Sequence, residues 1–277
     1  MQKAFKVGAV TVLVDSDVDE STTPSPTHIP VILMLHGWPD TLALWEPQVA
    51  VLKSKFLCVR FTLPGFAAGD PCEAHSLHSI VDIIRQVVDA VSPGQPVILL
   101  LHDWGAMFGY QFAAAHPERV AKIIGVDVGD ANSPAFLAQL TGKAKLQIAI
   151  YQLWLAAAWL VSQHLSANLA NRMTRFMARA LHCKSPANDI RAQMNYPYFI
   201  QWSGRHGGYG PMQTNAPVCP MLFIYGTKNP FLFHSTTWAA ALAARPDSAV
   251  HALPAGHWVM RDQPQAFNAL VLGWASQ

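Results

Sequence analysis

Short apolar runs ending in Gly or Asp alternate along most of the chain with longer stretches whose apolar residues recur at helical spacing. A run of Val, Ile and Leu with no polar face suits a strand buried on both sides, and its alternation with helices predicts βα units around a parallel sheet. Six such strands are expected, over 31–35, 56–61, 97–101, 123–127, 221–225 and 249–253, with one or two more between Ala4 and Val14. Helices are expected over 77–91, 104–116, 235–244 and 265–275, each long enough for a crossover.

From Asp130 to about Met212 this rhythm stops, and a segment rich in Trp, Tyr, Met and Ala follows without a convincing strand. It predicts an inserted helical subdomain, 131–212, on an α/β core formed by 1–130 and 213–277. Turn residues at 132–134 and 207–211 mark where the insertion leaves and rejoins the sheet. Its most apolar run, 146–161, is interrupted by Gln147 and Gln152 and falls short of the roughly 20 residues a membrane span needs. A buried or substrate-facing helix is expected there, with contact at a membrane surface the lesser alternative. Leu153, Trp154, Trp159, Phe176, Met177, Phe199 and Trp202 are expected to make a cavity beneath this subdomain apolar.

Composition narrows the function classes. Of 277 residues 51% are hydrophobic and 13% charged, which provides ample core, and a net charge of +2 with no basic stripe points away from nucleic acid and toward small neutral substrates. Cys58, Cys72, Cys183 and Cys219 are far apart, with no CxxC pair and no clustered His, so neither a metal site nor a disulfide framework is expected. Reduced thiols in a cytoplasmic protein are the expectation. Lys3 and Lys6 precede a short apolar stretch that acids follow at once, which reads as a first strand and not a signal peptide.

The buried run 97–101 ends in His102-Asp103 and passes directly into a helix containing Gly105 and Gly109. A residue on that turn projects from the C-terminal edge of the sheet, where open α/β folds place their sites, and small neighbours relieve the crowding. An isolated Asp there would more often cap the helix. Two companions point to chemistry. In His36-Gly-Trp-Pro-Asp40, Gly37 permits a tight turn that can expose the Trp38 N–H; with the Trp104 N–H it would make a donor pair facing Asp103, although a plain Gly-Pro turn remains the simpler reading. In Pro254-Ala-Gly-His-Trp258, His257 falls on a loop at the same sheet edge, suited to a general base.

With these motifs in this order, HGWPD at 36–40, HDWGA at 102–106 and GHW at 256–258, the chain resembles the α/β-hydrolase superfamily, in its branch of epoxide hydrolases and haloalkane dehalogenases. The resemblance implies the α/β-hydrolase fold: a mostly parallel sheet flanked by helices, with an inserted helical cap. It also implies that Asp103 attacks a saturated carbon to form an alkyl ester, which a water activated by His257 hydrolyses. That chemistry calls for a small apolar organic substrate and water, and for no metal or organic cofactor. A homodimer is left open.

The family usually supplies an Asp after the strand 221–225 to orient the catalytic His, but here stands Gly226-Thr-Lys-Asn229, and Asn229 is neutral. A second family location, the end of the preceding strand, where one subgroup of haloalkane dehalogenases has its acid, delivers Asp127, 24 residues after Asp103, and this departure leans toward a dehalogenase. Asp130 nearby and a weakened triad using Asn229 are the alternatives. Leu101, where epoxide hydrolases tend to have Gly, fits a dehalogenase better. The activities separate on what receives the leaving group: tyrosines protonate the alkoxide of an opened epoxide, whereas halide departure needs N–H donors. Tyr151 in Tyr-Gln-Leu resembles one such tyrosine; Tyr198 is the candidate for the second, with Tyr196 its alternative. Aromatic Trp38 also favours the epoxide side, since many dehalogenases have Asn there, and His36 and Trp104 complete the expected oxyanion and substrate-binding set. Epoxide hydrolysis is therefore expected first, with dehalogenation and a non-catalytic binder of a small apolar ligand as alternatives.

Overall fold

The computed structural model of the chain describes residues 2–18, 29–210, 212–213, 216–217 and 219–277; Pro211, expected in the rejoining turn, lies outside them. Its N-terminal segment forms two antiparallel strands, β1 (Gln2–Val7) and β2 (Val10–Asp15). The six apolar runs become β3 (Val31–Leu35), β4 (Leu57–Phe61), β5 (Val97–His102), β6 (Val120–Val126), β7 (Met221–Gly226) and β8 (Ala249–Leu253). Together they form an eight-stranded sheet in the order β1-β2-β4-β3-β5-β6-β7-β8, parallel from β4 onward.

The central runs, β3 and β5, lack a polar face because both faces of the sheet are covered there, whereas the edge strand β8 carries exposed His251. Leu33, Leu35, Leu99 and Leu101 pack with Ile80, Ile84 and Val88 of α2 (Leu77–Val91) and Phe108 and Phe112 of α3 (Trp104–Ala115). Their strand neighbours Ile32, Met34, Ile98 and Leu100 pack on the other side. There they meet Val49 and Leu52 of α1 (Glu46–Leu52), and Phe267 and Val271 of the C-terminal helix over Pro264–Ala275. Alternating side chains of one strand thus enter two cores. The start of α2 is set by Ser76, whose hydroxyl accepts the Ser79 N–H at 3.2 Å.

Between β6 and β7 the described chain is helical: α4 (Pro134–Gln139), α5 (Gly142–His164), α6 (Ala167–Ala180) and α7 (Tyr196–Ser203). Thr141 and Ser166 cap α5 and α6, and Gly204, with φ of 67°, ends α7. The long helix corrects one expectation. With 23 residues and a mean hydropathy of 1.3 in its most apolar window, α5 is long and apolar enough to cross a membrane by length and composition. Here it runs against α6 and α7. Past β7, α8 (Thr236–Ala243) flanks β8, and α9 (Val259–Asp262) leads into α10 (Pro264–Ala275).

Two strand ends depart from ideal geometry. Asp103, between β5 and α3, has φ of 53°, and Asp127, after β6, has φ of 63°. Left-handed backbone cannot continue a ladder, so β6 stops at Val126, one residue before the expected end, and Asp127 turns out of the sheet. The tight β5–α3 turn presses α3 onto the end of β3: a Cβ on Gly105 would lie 2.3 Å from the His36 carbonyl oxygen and 2.5 Å from that of Leu35. Gly105→Ala should therefore lower unfolding free energy by about 1–3 kcal/mol. Gly273→Ala, on α10 with open space around it, should be neutral or stabilising by up to about 1 kcal/mol. Chemical denaturation of the two variants measures the contrast, and equal effects would contradict it.

Candidate active site

The β5–α3 turn places Asp103 where Gly37 meets it from the end of β3. A Cβ on Gly37 would fall 2.2 Å from Asp103 Oδ1, so this approach requires glycine. It lets the Trp38 backbone N–H donate to Oδ1 at 2.6 Å. Asp103 makes no capping hydrogen bond into its helix, which removes the helix-cap reading. Burial works against its charge, but the His257 imidazole, with a smaller contribution from the Trp104 backbone N–H, holds its carboxyl below the usual carboxylate value.

His257, on the loop after β8, bridges two carboxylates. Its Nε2 is 3.4 Å from Asp103 Oδ2, and its Nδ1 is 2.6 Å from Asp127 Oδ2. Burial disfavours the imidazolium, yet the hydrogen bonds to Asp103 and Asp127 outweigh that and raise the His257 pKa to about 10. Asp127, not Asn229 or Asp130, meets the imidazole. Asn229 instead donates its amide to both Asp127 oxygens, at 3.0 and 2.9 Å, and the Gly226 N–H adds a bond of 2.9 Å to Oδ1. The neutral residue at the expected acid position thus supports the acid that lies elsewhere. Asp130 accepts from Ser235 N at 2.6 Å and from the Ser133 and Ser235 hydroxyls, so it ties the start of α4 to the turn before α8.

Above Asp103 lies a cavity of about 280 Å³, roofed by α5 and α7. Its walls are largely apolar, among them Trp104, Met107, Val128, Phe136 and Phe233. Tyr151 of α5 and Tyr198 of α7 both line it, with ring centroids 6.0 Å apart and edge to face. Burial pushes both hydroxyls above the ordinary tyrosine value, and the Asp103 charge adds to this, as expected for phenols facing a carboxylate. The Tyr151 hydroxyl also accepts from Gln152 Nε2 at 3.2 Å.

Other expected residues lie elsewhere. Tyr196 is fully buried against Phe66 and His75 and does not line the cavity, whereas Tyr198 does. His36 does not line the cavity either. It accepts the Leu63 N–H at Nε2 and donates from Nδ1 to the Gly37 carbonyl, and burial lowers its pKa to about 4, so a neutral ring braces the oxyanion turn from behind. The Trp38 indole N–H donates to Asn195 at 2.8 Å and is thereby committed to the protein. Of the seven apolar residues expected around the cavity, Trp202 lines it; Leu153, Trp154 and Phe176 face outward, while Trp159, Met177 and Phe199 fill the packing beneath. An apolar helix surface does not by itself reveal which side faces a cavity.

Two further contributors, His102 and Asp40, lie within the motifs HDWGA and HGWPD but have no expected role of their own. Burial lowers the His102 pKa to about 3, so its neutral ring donates from Nε2 to the His257 carbonyl at 3.0 Å and fixes the loop that bears the base. Buried Asp40, the last residue of HGWPD, accepts from Trp258 Nε1 at 2.7 Å, from Arg261 at 3.1 Å and from the Ser185 hydroxyl. It joins the oxyanion turn, the segment after His257 and the helical insertion.

Comparison with known proteins identifies the fold. Residues 30–264 match the family described as the alpha/beta hydrolase fold. Epoxide hydrolase 4 of Homo sapiens is 23% identical over 268 residues, covering 87% of this chain and 71% of that protein. Epoxide hydrolase srdG of Neurospora crassa is 36% identical over 113 residues, covering 38% of this chain and 32% of its own length, so that match spans about a third of the relative. Among solved structures, a Bacillus megaterium epoxide hydrolase in complex with an inhibitor superposes with a TM-score of 0.70 at 19% identity, covering 99% of this chain and all of the other. A haloalkane dehalogenase loop variant from Bradyrhizobium elkanii reaches 0.68 at 17% identity, over 100% and 96% of the two chains. These likenesses establish the shared fold, and with a family match over most of its length the chain belongs to the alpha/beta hydrolase fold family.

Proposed function

We propose that this protein is an enzyme that hydrolyses an epoxide of a small apolar molecule to a vicinal diol through a covalent ester on Asp103, with 131–212 acting as a cap over the site. The observation that carries this reading is the pair Tyr151 and Tyr198 facing Asp103 across an apolar cavity. Asp103 Oδ1 is engaged by the Trp38 N–H, which leaves Oδ2 to attack an epoxide carbon. The C–O bond breaks as the ester forms, and a tyrosine gives its proton to the departing alkoxide. Once the ester has removed the Asp103 charge, His257 releases its proton to solvent; the neutral ring then takes a proton from water, and the resulting hydroxide adds to the Asp103 carboxyl carbon. The Trp38 and Trp104 N–H groups receive the negative charge on Oδ1. Collapse expels the diol, whose second oxygen takes the proton back from His257, and the proton left on the Asp103 carboxyl returns to the tyrosinate, which regenerates both the carboxylate and the acid.

Dehalogenation fits less well, because the Trp38 indole that would help to hold a halide is bonded to Asn195. A non-catalytic binder would leave the nucleophile, base and acid with no reason to align. Names of relatives lean the same way, as do the four free cysteines toward a reducing, cytoplasmic setting.

In the resting site the imidazole is protonated, held between two carboxylates. Ester formation abolishes the Asp103 charge, so one of the groups that raise the His257 pKa disappears and the pKa falls. Single-turnover rapid quench from about pH 5 to 9 should therefore show ester hydrolysis that rises with pH. Ester formation should persist into mild acid, because the Asp103 pKa lies below the ordinary value. Hydrolysis that slows as pH rises would contradict the base assignment.

Asp103→Ala should abolish diol formation from an aryl epoxide, and Tyr151→Phe should slow ester formation by about a hundredfold, within the range for a lost general acid. Unchanged turnover in either variant overturns its assignment, and halide release from a bromoalkane that survives Tyr151→Phe without diol formation reverses the choice of reaction. Asp127→Asn should slow ester hydrolysis by about a thousandfold or more and let the alkylated enzyme accumulate, visible by intact mass. Full turnover in that variant, with loss in Asn229→Ala, would transfer the role to Asn229.

A further inference from the structure

The long cap helix α5 is apolar on nearly all sides, yet only 28% of its most apolar window is buried. A helix hydrophobic all round ordinarily lies inside a core. On α5 the outward residues Leu146, Ile150, Leu153, Ala157 and Leu160 are spaced three or four apart, with Trp154 beside them, so that they form one stripe. The stripe continues onto α6, where the Phe176 ring, more than half exposed, lies 5.7 Å from Trp154. Contiguous exposed apolar surface of this kind marks a contact with something else.

Charge identifies that partner. Of the chain's 19 Lys and Arg and 17 Asp and Glu, the segment 131–212 holds eight of the former and one acid, Asp189, leaving the rest of the chain net acidic. Exposed Lys143 lies one turn before Leu146 on the α5 stripe, and exposed Arg172 and Arg179 flank Phe176 on its own face of α6. The cap therefore presents apolar side chains, with a tryptophan among them, inside a rim of cations. A second copy seated face to face would bring those cations against their equivalents. An anionic lipid surface would neutralise them while taking up the apolar stripe.

We propose that the outer face of α5 and α6 docks the protein on the surface of an anionic phospholipid bilayer, lying in the interface without crossing it. The cavity reaches the protein surface beside α5: Leu137 and Trp202, both about half exposed, belong to its lining, as does Lys145 of α5. The docking rests on the exposed stripe and its cationic rim and does not depend on the reaction assigned to Asp103.

Flotation of the full-length protein with liposomes tests this. Binding to vesicles of phosphatidylcholine with about 30 mol% phosphatidylglycerol should exceed binding to pure phosphatidylcholine by about tenfold or more, and should weaken in high salt. The pair Leu153→Glu and Phe176→Glu, which lies outside the cavity lining, should lose most of that binding while keeping its circular dichroism, melting temperature and turnover of a water-soluble epoxide. Lys143→Glu with Arg172→Glu should remove the preference for anionic vesicles. No binding to anionic vesicles, or equal binding to both compositions, overturns the proposal. A wild-type dimer that the Leu153 and Phe176 pair converts to monomer, without vesicle binding by wild type, would instead assign the face to self-association.

Discussion

His257 stands between two carboxylates, 2.6 Å from Asp127 and 3.4 Å from Asp103, at the floor of an apolar cavity. Two negative charges and one positive charge in such a place are tolerated only when each is paired and hydrogen-bonded. Much of the architecture answers that demand. Parallel strands bring the ends of β3, β5 and β6 to one edge, where Gly37, Asp103 and Asp127 come together with backbone N–H donors. Left-handed backbone at both acids is a local strain that the surrounding contacts offset, and it aims the two carboxylates toward one imidazole.

The helical segment between β6 and β7 takes part in this arrangement. Asn195 accepts the Trp38 indole N–H and donates to Thr174, so the oxyanion turn is tied to α6 and to the start of α7, which carries Tyr198. Asp40 ties the same turn to Ser185 and to the helix after His257. The turn beside Asp103, the segment after His257 and the helix bearing Tyr198 therefore share one hydrogen-bond network. Its cost is that buried polar groups such as Asp40 must keep every partner, since burial pushes the Asp40 pKa up and Arg261 opposes this.

The fold was readable because its signal is periodic. Apolar runs such as 31–35 and 249–253 match β3 and β8 at both ends, and the 77–91 helix matches α2, whose start Ser76 marks. Asp103, His257 and Asp127 were readable because each sits just past a strand end, where side chains converge. The role of Asn229 was not, because an amide that supports an acid and one that replaces it look alike in sequence. The cap was misread in part for a related reason. Leu153, Trp154 and Phe176 are apolar and helical, but nothing in their spacing says that solvent, and not the cavity, lies on their side.

The central claim is that Asp103 itself is alkylated and then hydrolysed at its carboxyl carbon. A single turnover in water labelled with heavy oxygen, with enzyme in excess over an epoxide, tests it most directly. The account predicts label in the peptide containing Asp103 and a diol whose new oxygen comes unlabelled from that carboxylate. Labelled diol with an unlabelled Asp103 peptide would mean that water attacks the substrate directly, and would contradict it.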